Sequence, residues 1–118
     1  MVIRVHHVQI SVAPDKVDAS RDFYVHVLGF NEIEDLFPTN GGLWLRGGEV
    51  ELHIRPEPDI DRRKTKAHPA FQFDRLEPIR QRLIDRKVAI EEQPDIPGLM
   101  RFHTFDPSGN RLELLQAI

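Results

Sequence analysis

Residues 4–12 alternate strictly between two faces, with Val8, Ile10 and Val12 on one and His7, Gln9 and Ser11 on the other. A period of two predicts a half-buried strand. The second face is polar without being charged, which suits the lining of a cavity better than a surface in bulk water. Residues 15–28 change period. Val17, Tyr24, Val27 and Leu28 share a side, Ser20 fills the gap between them, and Gly29 stands where a C-terminal cap belongs, so a helix is expected. Strand patterns follow at 30–35, 43–46 and 49–55, separated by Gly41-Gly42 and Gly47-Gly48, residues that accept positive φ at turns. Residues 56–66 are polar, contain two prolines and a basic run, and read as a solvated linker.

The pattern then begins again. Phe71 and Phe73 alternate with Ala70 and Gln72 in a strand opened by His68. Asp74 and Glu77 resemble a capping box, Pro78 is tolerable in a first helical turn, and Leu76, Ile79 and Leu83 form the apolar stripe of a second helix. Strands are expected at 88–92, 100–105 and 111–117. Asp106-Pro107-Ser108-Gly109-Asn110 makes a tight turn between the last two. Strand–helix–strand–strand–strand therefore occurs twice. His7 and His68 are 61 residues apart, and His53 and Glu113 are 60 apart, so positions repeat as well as element types. The fold class expected is α+β, built from two duplicated units of this kind.

Composition narrows the function. A chain of 118 residues with 40% hydrophobic and 30% charged positions supports one globular domain with a true core. There is no cysteine, which excludes disulfides, thiolate zinc sites, iron–sulfur clusters and cysteine nucleophiles. A net charge of -3 argues against a broad nucleic-acid surface. No apolar run approaches the ~18 residues of a membrane span. The first residues lack a secretory pattern, so a cytoplasmic location is expected.

The polar faces of the first and last strand of each unit carry His7, His53 (with Glu51 two residues earlier on the same face), His68 and Glu113. A lone strand histidine is ordinarily hydrogen-bonded or solvent-facing, and a lone glutamate is ordinarily a surface carboxylate. Here histidines recur at equivalent points of both repeats, with a third histidine and a glutamate paired likewise. Imidazoles and a carboxylate on strands, where directions are rigid, suit a divalent ion such as Zn²⁺, Ni²⁺, Mn²⁺ or Fe²⁺. His6 points away from His7, and His26 lies on the polar side of the first helix. Trp44 and Phe105 either line a pocket or, as aromatics ordinarily do, fill core.

Three segments, His7-Val8-Gln9-Ile10-Ser11-Val12, Arg21-Asp22-Phe23-Tyr24 through Leu28-Gly29-Phe30, and Asp106-Pro107-Ser108-Gly109-Asn110-Arg111-Leu112-Glu113-Leu114, together resemble the vicinal oxygen chelate superfamily, the glyoxalase/bleomycin-resistance/dioxygenase family. The resemblance implies a single domain of two βαβββ modules (1–57 and 67–118, joined by a linker at 58–66) forming a pair of half-barrels. It implies metal ligands at His7, His68 and Glu113. His53 stands at the fourth position, where glyoxalase-type enzymes carry glutamate or glutamine, with Glu51 as the alternative. It also implies a homodimer in which the metal site is shared between chains, and a small-molecule substrate chelated through two adjacent oxygens. The expected activity is that of a divalent-metal-dependent, glyoxalase-like lyase or isomerase stabilising an enediolate or oxyanion. The alternatives are an Fe²⁺ extradiol-type dioxygenase and a metal-free, drug-sequestering protein of the bleomycin-resistance kind. Glu113 is the candidate base. His103, on the same strand face as Arg101 and Phe105, is the candidate to orient or deprotonate a substrate hydroxyl.

Overall fold

The computed structural model describes residues 1–118 and divides into two units, Met1–Ile60 and Asp61–Ile118. In the first, β1 (Val8–Val12) leads through a 3₁₀ turn (Pro14–Lys16) into α1 (Val17–Arg21), followed by β2 (Asn31–Ile33), β3 (Leu43–Gly47) and β4 (Val50–Pro56). In the second, β5 (Ala70–Phe73), α2 (Glu77–Asp85), β6 (Ile90–Glu92), β7 (Leu99–Phe105) and β8 (Arg111–Ala117) follow in the same order. The sheet orders are β1-β4-β3-β2 and β5-β8-β7-β6, so the duplication holds in topology too. In each unit the first strand runs parallel to the last and the other pairs are antiparallel.

The cores are the expected apolar faces. Val12, Leu43, Leu45, Leu52 and Ile54 are closed off from solvent in the first unit, and Phe102, Leu112 and Leu114 in the second. Leu76, Ile79 and Leu83 of the α2 segment are buried as its spacing predicts. Three local expectations are corrected. Residues 4–7 alternate but have no neighbouring strand, so β1 begins only at Val8. The first helix is not uniformly α: after Arg21 it continues as a π-helical turn, Asp22–Val27. The wider turn buries Phe23 beside Tyr24, Val27 and Leu28, and Gly29 at φ 87° ends it. Asp74 does not cap α2. Its carboxylate accepts from Arg75 N, whereas Leu76 N donates to Gln116 Oε1 at 2.8 Å. In the basic run, Arg62 is buried while Arg63 and Lys64 are exposed.

Candidate functional site

Strand register assembles the polar residues. On the second unit's sheet, His103 of β7 pairs with Glu113 of β8 and with Glu91 of β6, a line of three chemically active residues across adjacent strands. His68 precedes β5, whose Ala70 pairs with Glu113. As a result His103 Nε2 lies 3.0 Å and His68 Nε2 3.2 Å from Glu113 Oε1. The other ring nitrogens also have partners. His68 Nδ1 is 2.8 Å from Lys66 O, and His103 Nδ1 is 2.9 Å from Arg111 Nη1. Arg101 Nη1 donates to Glu113 Oε1 at 3.2 Å, and Arg111 Nη1 donates to Glu91 Oε1 at 3.1 Å.

Burial of Glu113 opposes its ionisation, but the hydrogen bond from His103 and the charge of Arg101 are among the causes that outweigh it, and the carboxyl is held below its ordinary value. It is therefore a carboxylate at neutral pH. One ligand atom from each of His68, His103 and Glu113 lies within 4.8 Å of the others. Adjacent ligands about 2.1 Å from a common ion stand roughly 3.0–3.4 Å apart, and both imidazole-to-carboxylate separations fall in that interval. The donor set, imidazole nitrogen and carboxylate oxygen, suits a divalent ion of the zinc, nickel or iron kind.

The first unit carries the matching line. Trp44 of β3 pairs with His53 of β4, which pairs with Gln9 of β1. The Trp44 and His53 rings stack with centroids 4.1 Å apart and planes 3° from parallel. His7 covers the other face of His53 at 4.2 Å and 18°. His53 Nε2 is 2.8 Å from Glu51 Oε2, and Arg46 also binds Glu51. Hydrogen bonding to His53 comes first among the causes that hold the Glu51 carboxyl below its usual range, and Arg46 adds to it against the opposing effect of burial. This stack forms one wall of a cleft of about 560 Å³ that Gln9, Phe37 and Arg55 also line. Trp44 is half-buried, a cleft wall rather than core, and its Nε1 is closed off without a hydrogen-bond partner.

Of the residues singled out in the sequence, the structure brings His68, His103 and Glu113 together in one unit, and His7, Glu51 and His53 in the other. Arg111 and Glu91, which complete the second unit's network, carry a signal only in hindsight: they share strand-face parity with Glu113 and His103. His6 is exposed as expected but does not point away from His7: its Nδ1 lies 3.0 Å from His7 Nδ1, because the segment before β1 is not held in strand alternation; His26 is exposed.

Known proteins agree with this architecture. A glyoxalase family structure from Bacillus anthracis superposes with TM-score 0.89 at 29% identity, over 100% of this chain and 98% of that one. The genomically encoded fosfomycin resistance protein FosX from Listeria monocytogenes shares the fold at TM-score 0.81 and 18% identity, over 100% and 96% of the two chains. So does TnmS3, an antibiotic binding protein from Streptomyces sp. CB03234, at TM-score 0.71 and 23% identity over 100% of both. A search of curated proteins found no match. The family model described as the Glyoxalase/Bleomycin resistance protein/Dioxygenase superfamily matches residues 4–114, nearly the entire chain. With two βαβββ units and an imidazole–carboxylate cluster on the inner strands, this chain belongs to that superfamily.

Proposed function

We propose that this protein is a divalent-metal-dependent enzyme of the glyoxalase-like lyase or isomerase type, acting on a small substrate with two adjacent oxygens. The observation that carries this reading is the approach of His68 Nε2 to Glu113 Oε1 at 3.2 Å, beside a carboxylate held ionised. His68 and Glu113 would hold the ion together with His7 and His53 from a second copy of the chain, with Glu51 the alternative to His53 because the two form one hydrogen-bonded pair. An ion held there supplies Lewis acidity toward the paired oxygens as negative charge develops on them. Glu113 takes the proton from the carbon next to the carbonyl and returns it. His103 and Arg101 fix its orientation through Oε1.

A second reading, a binding protein that sequesters an aromatic compound, is favoured by one feature: the cleft walled by the Trp44–His53–His7 stack, whose flat faces suit a planar ligand. Metal analysis of untagged protein separates the two. About one divalent ion per chain is expected, abolished by His68→Ala. Protein that is consistently metal-free overturns the enzyme reading in favour of the binding protein. For the metal-loaded protein, isomerisation of a hemithioacetal with Ni²⁺ or Zn²⁺ is the expected activity. Iron content with oxygen uptake on catechols, and silence on the hemithioacetal, would instead select the Fe²⁺ dioxygenase.

A further inference from the structure

Two imidazoles approach the Glu113 carboxylate closely, yet their hydrogen-bond partners make them chemically unequal. Arg111 Nη1 is 2.9 Å from His103 Nδ1. A guanidinium has donors only, so Nδ1 must supply a lone pair. The hydrogen of the neutral ring then sits on Nε2, which faces Glu113 Oε1 at 3.0 Å, an oxygen that only accepts. Turning the ring over places carbon at both positions and loses both bonds. His68 has the opposite arrangement. Its Nδ1 lies 2.8 Å from Lys66 O, and a carbonyl only accepts, so the hydrogen sits on Nδ1. Nε2 is left with its lone pair toward Glu113 Oε1 at 3.2 Å. In the neutral ring two acceptors then face each other with no hydrogen between them, a gap that a proton or a metal ion would fill.

We propose that the two histidines flanking Glu113 are locked as opposite tautomers, so that His68 is the ligand while His103 is a positioning residue that donates to the carboxylate and does not coordinate. The assignment deepens the metal reading above and rests on it for the ligand role of His68; the tautomers themselves are set by Lys66 and Arg111. The Arg111 anchor is itself held. Its guanidinium donates to Glu91 Oε1 at 3.1 Å and lies 4.8 Å from the ring centroid of Phe105, its cross-strand partner. Carbonyl support at the far nitrogen of a ligating imidazole, and a hydrogen bond to a ligating carboxylate, are the outer contacts that tune metal affinity in other proteins.

The test is nitrogen-15 NMR of the histidine rings in metal-free protein at mildly alkaline pH, assigned with His68→Ala and His103→Ala. The expected result is Nδ1–H for His68 and Nε2–H for His103. On titration with Zn²⁺, His68 Nε2 should shift while His103 keeps its pattern. His103→Ala should weaken zinc binding about 10–100-fold. His103→Gln, whose amide hydrogens can still reach Glu113, should recover most of that loss. Arg111→Met should convert His103 to a tautomer mixture, and circular dichroism checks that each variant folds. A His103 Nδ1–H signal in the wild type, a His103 Nε2 that shifts with zinc, or a His103→Gln variant as weak as His103→Ala would each overturn the assignment. A wild-type chain that binds no zinc sinks the proposed function, and the metal-free tautomers alone then decide this inference.

Discussion

Asp35 and Arg55 show how a single ion pair ties this protein to pH. Arg55 donates to both carboxylate oxygens of Asp35, at 2.7 and 3.1 Å, joining β4 to the loop after β2. That hydrogen bonding holds the Asp35 carboxyl below its ordinary value, against a smaller opposing effect of burial and with help from Phe37 N. A depressed carboxylate stabilises the folded state above its unfolded value and loses that contribution as pH falls through the lower, folded one. Asp35→Asn should therefore lower the melting temperature at neutral pH, and its deficit against the wild type should close in acid. A deficit independent of pH, measured by thermal denaturation across the acid range, would show that the pair does not act through charge. The alternating pattern alone could place Glu113 and His103 on their faces. It could not show that Arg111 would reach back across the sheet to His103, since side-chain reach is decided by strand register.

At the scale of elements, two turns and one helix carry the folding information most visibly. Asp106 accepts from Ser108 N and Asn110 N at 2.9 Å each and from Asn110 Nδ2 at 2.8 Å, which closes the β7–β8 turn that sets His103 opposite Glu113. Asp106→Ala strands those backbone donors and should cost about 2–3 kcal/mol; on the proposed metal reading it should also weaken zinc binding by disturbing the β7–β8 pairing, and chemical denaturation and a zinc titration check both. A Cβ at Gly42 would come within 2.0 Å of Ile54 O, so Gly42→Ala must push β3 from β4 and should cost roughly 1–3 kcal/mol or more. Leu83→Ala, fully buried on α2, should cost about 2–5 kcal/mol by chemical denaturation; on the proposed metal reading, zinc affinity of the folded fraction should be unchanged. Element types were legible because periods of two and of about 3.6 differ sharply. Element ends were less so. Residues 4–7 alternate without a partner strand, and the π turn after Arg21 leaves no mark on a helical pattern.

At the scale of the whole molecule, each unit presents half of a candidate ligand set: His7 and His53 on one, His68 and Glu113 on the other. On the proposal that two copies pool these halves, His7→Ala and His68→Ala should each bind little zinc alone. Mixed and re-equilibrated in equal amounts, they should regain about a quarter of the wild-type sites, because half of the resulting dimers would hold one intact set. Recovery of none would rule out sharing between copies. The duplication itself needed only the order of residues: the spacing of His7 from His68 and of His53 from Glu113, the doubled strand–helix pattern and the family segments all lie along the chain, because backbone periodicity is a local property. What the tertiary structure decided is which side chains meet. Trp44 against His53, Arg101 at Glu113 and Arg111 at His103 depend on hydrogen-bond register between strands far apart in sequence, and register is settled only when whole sheets pack.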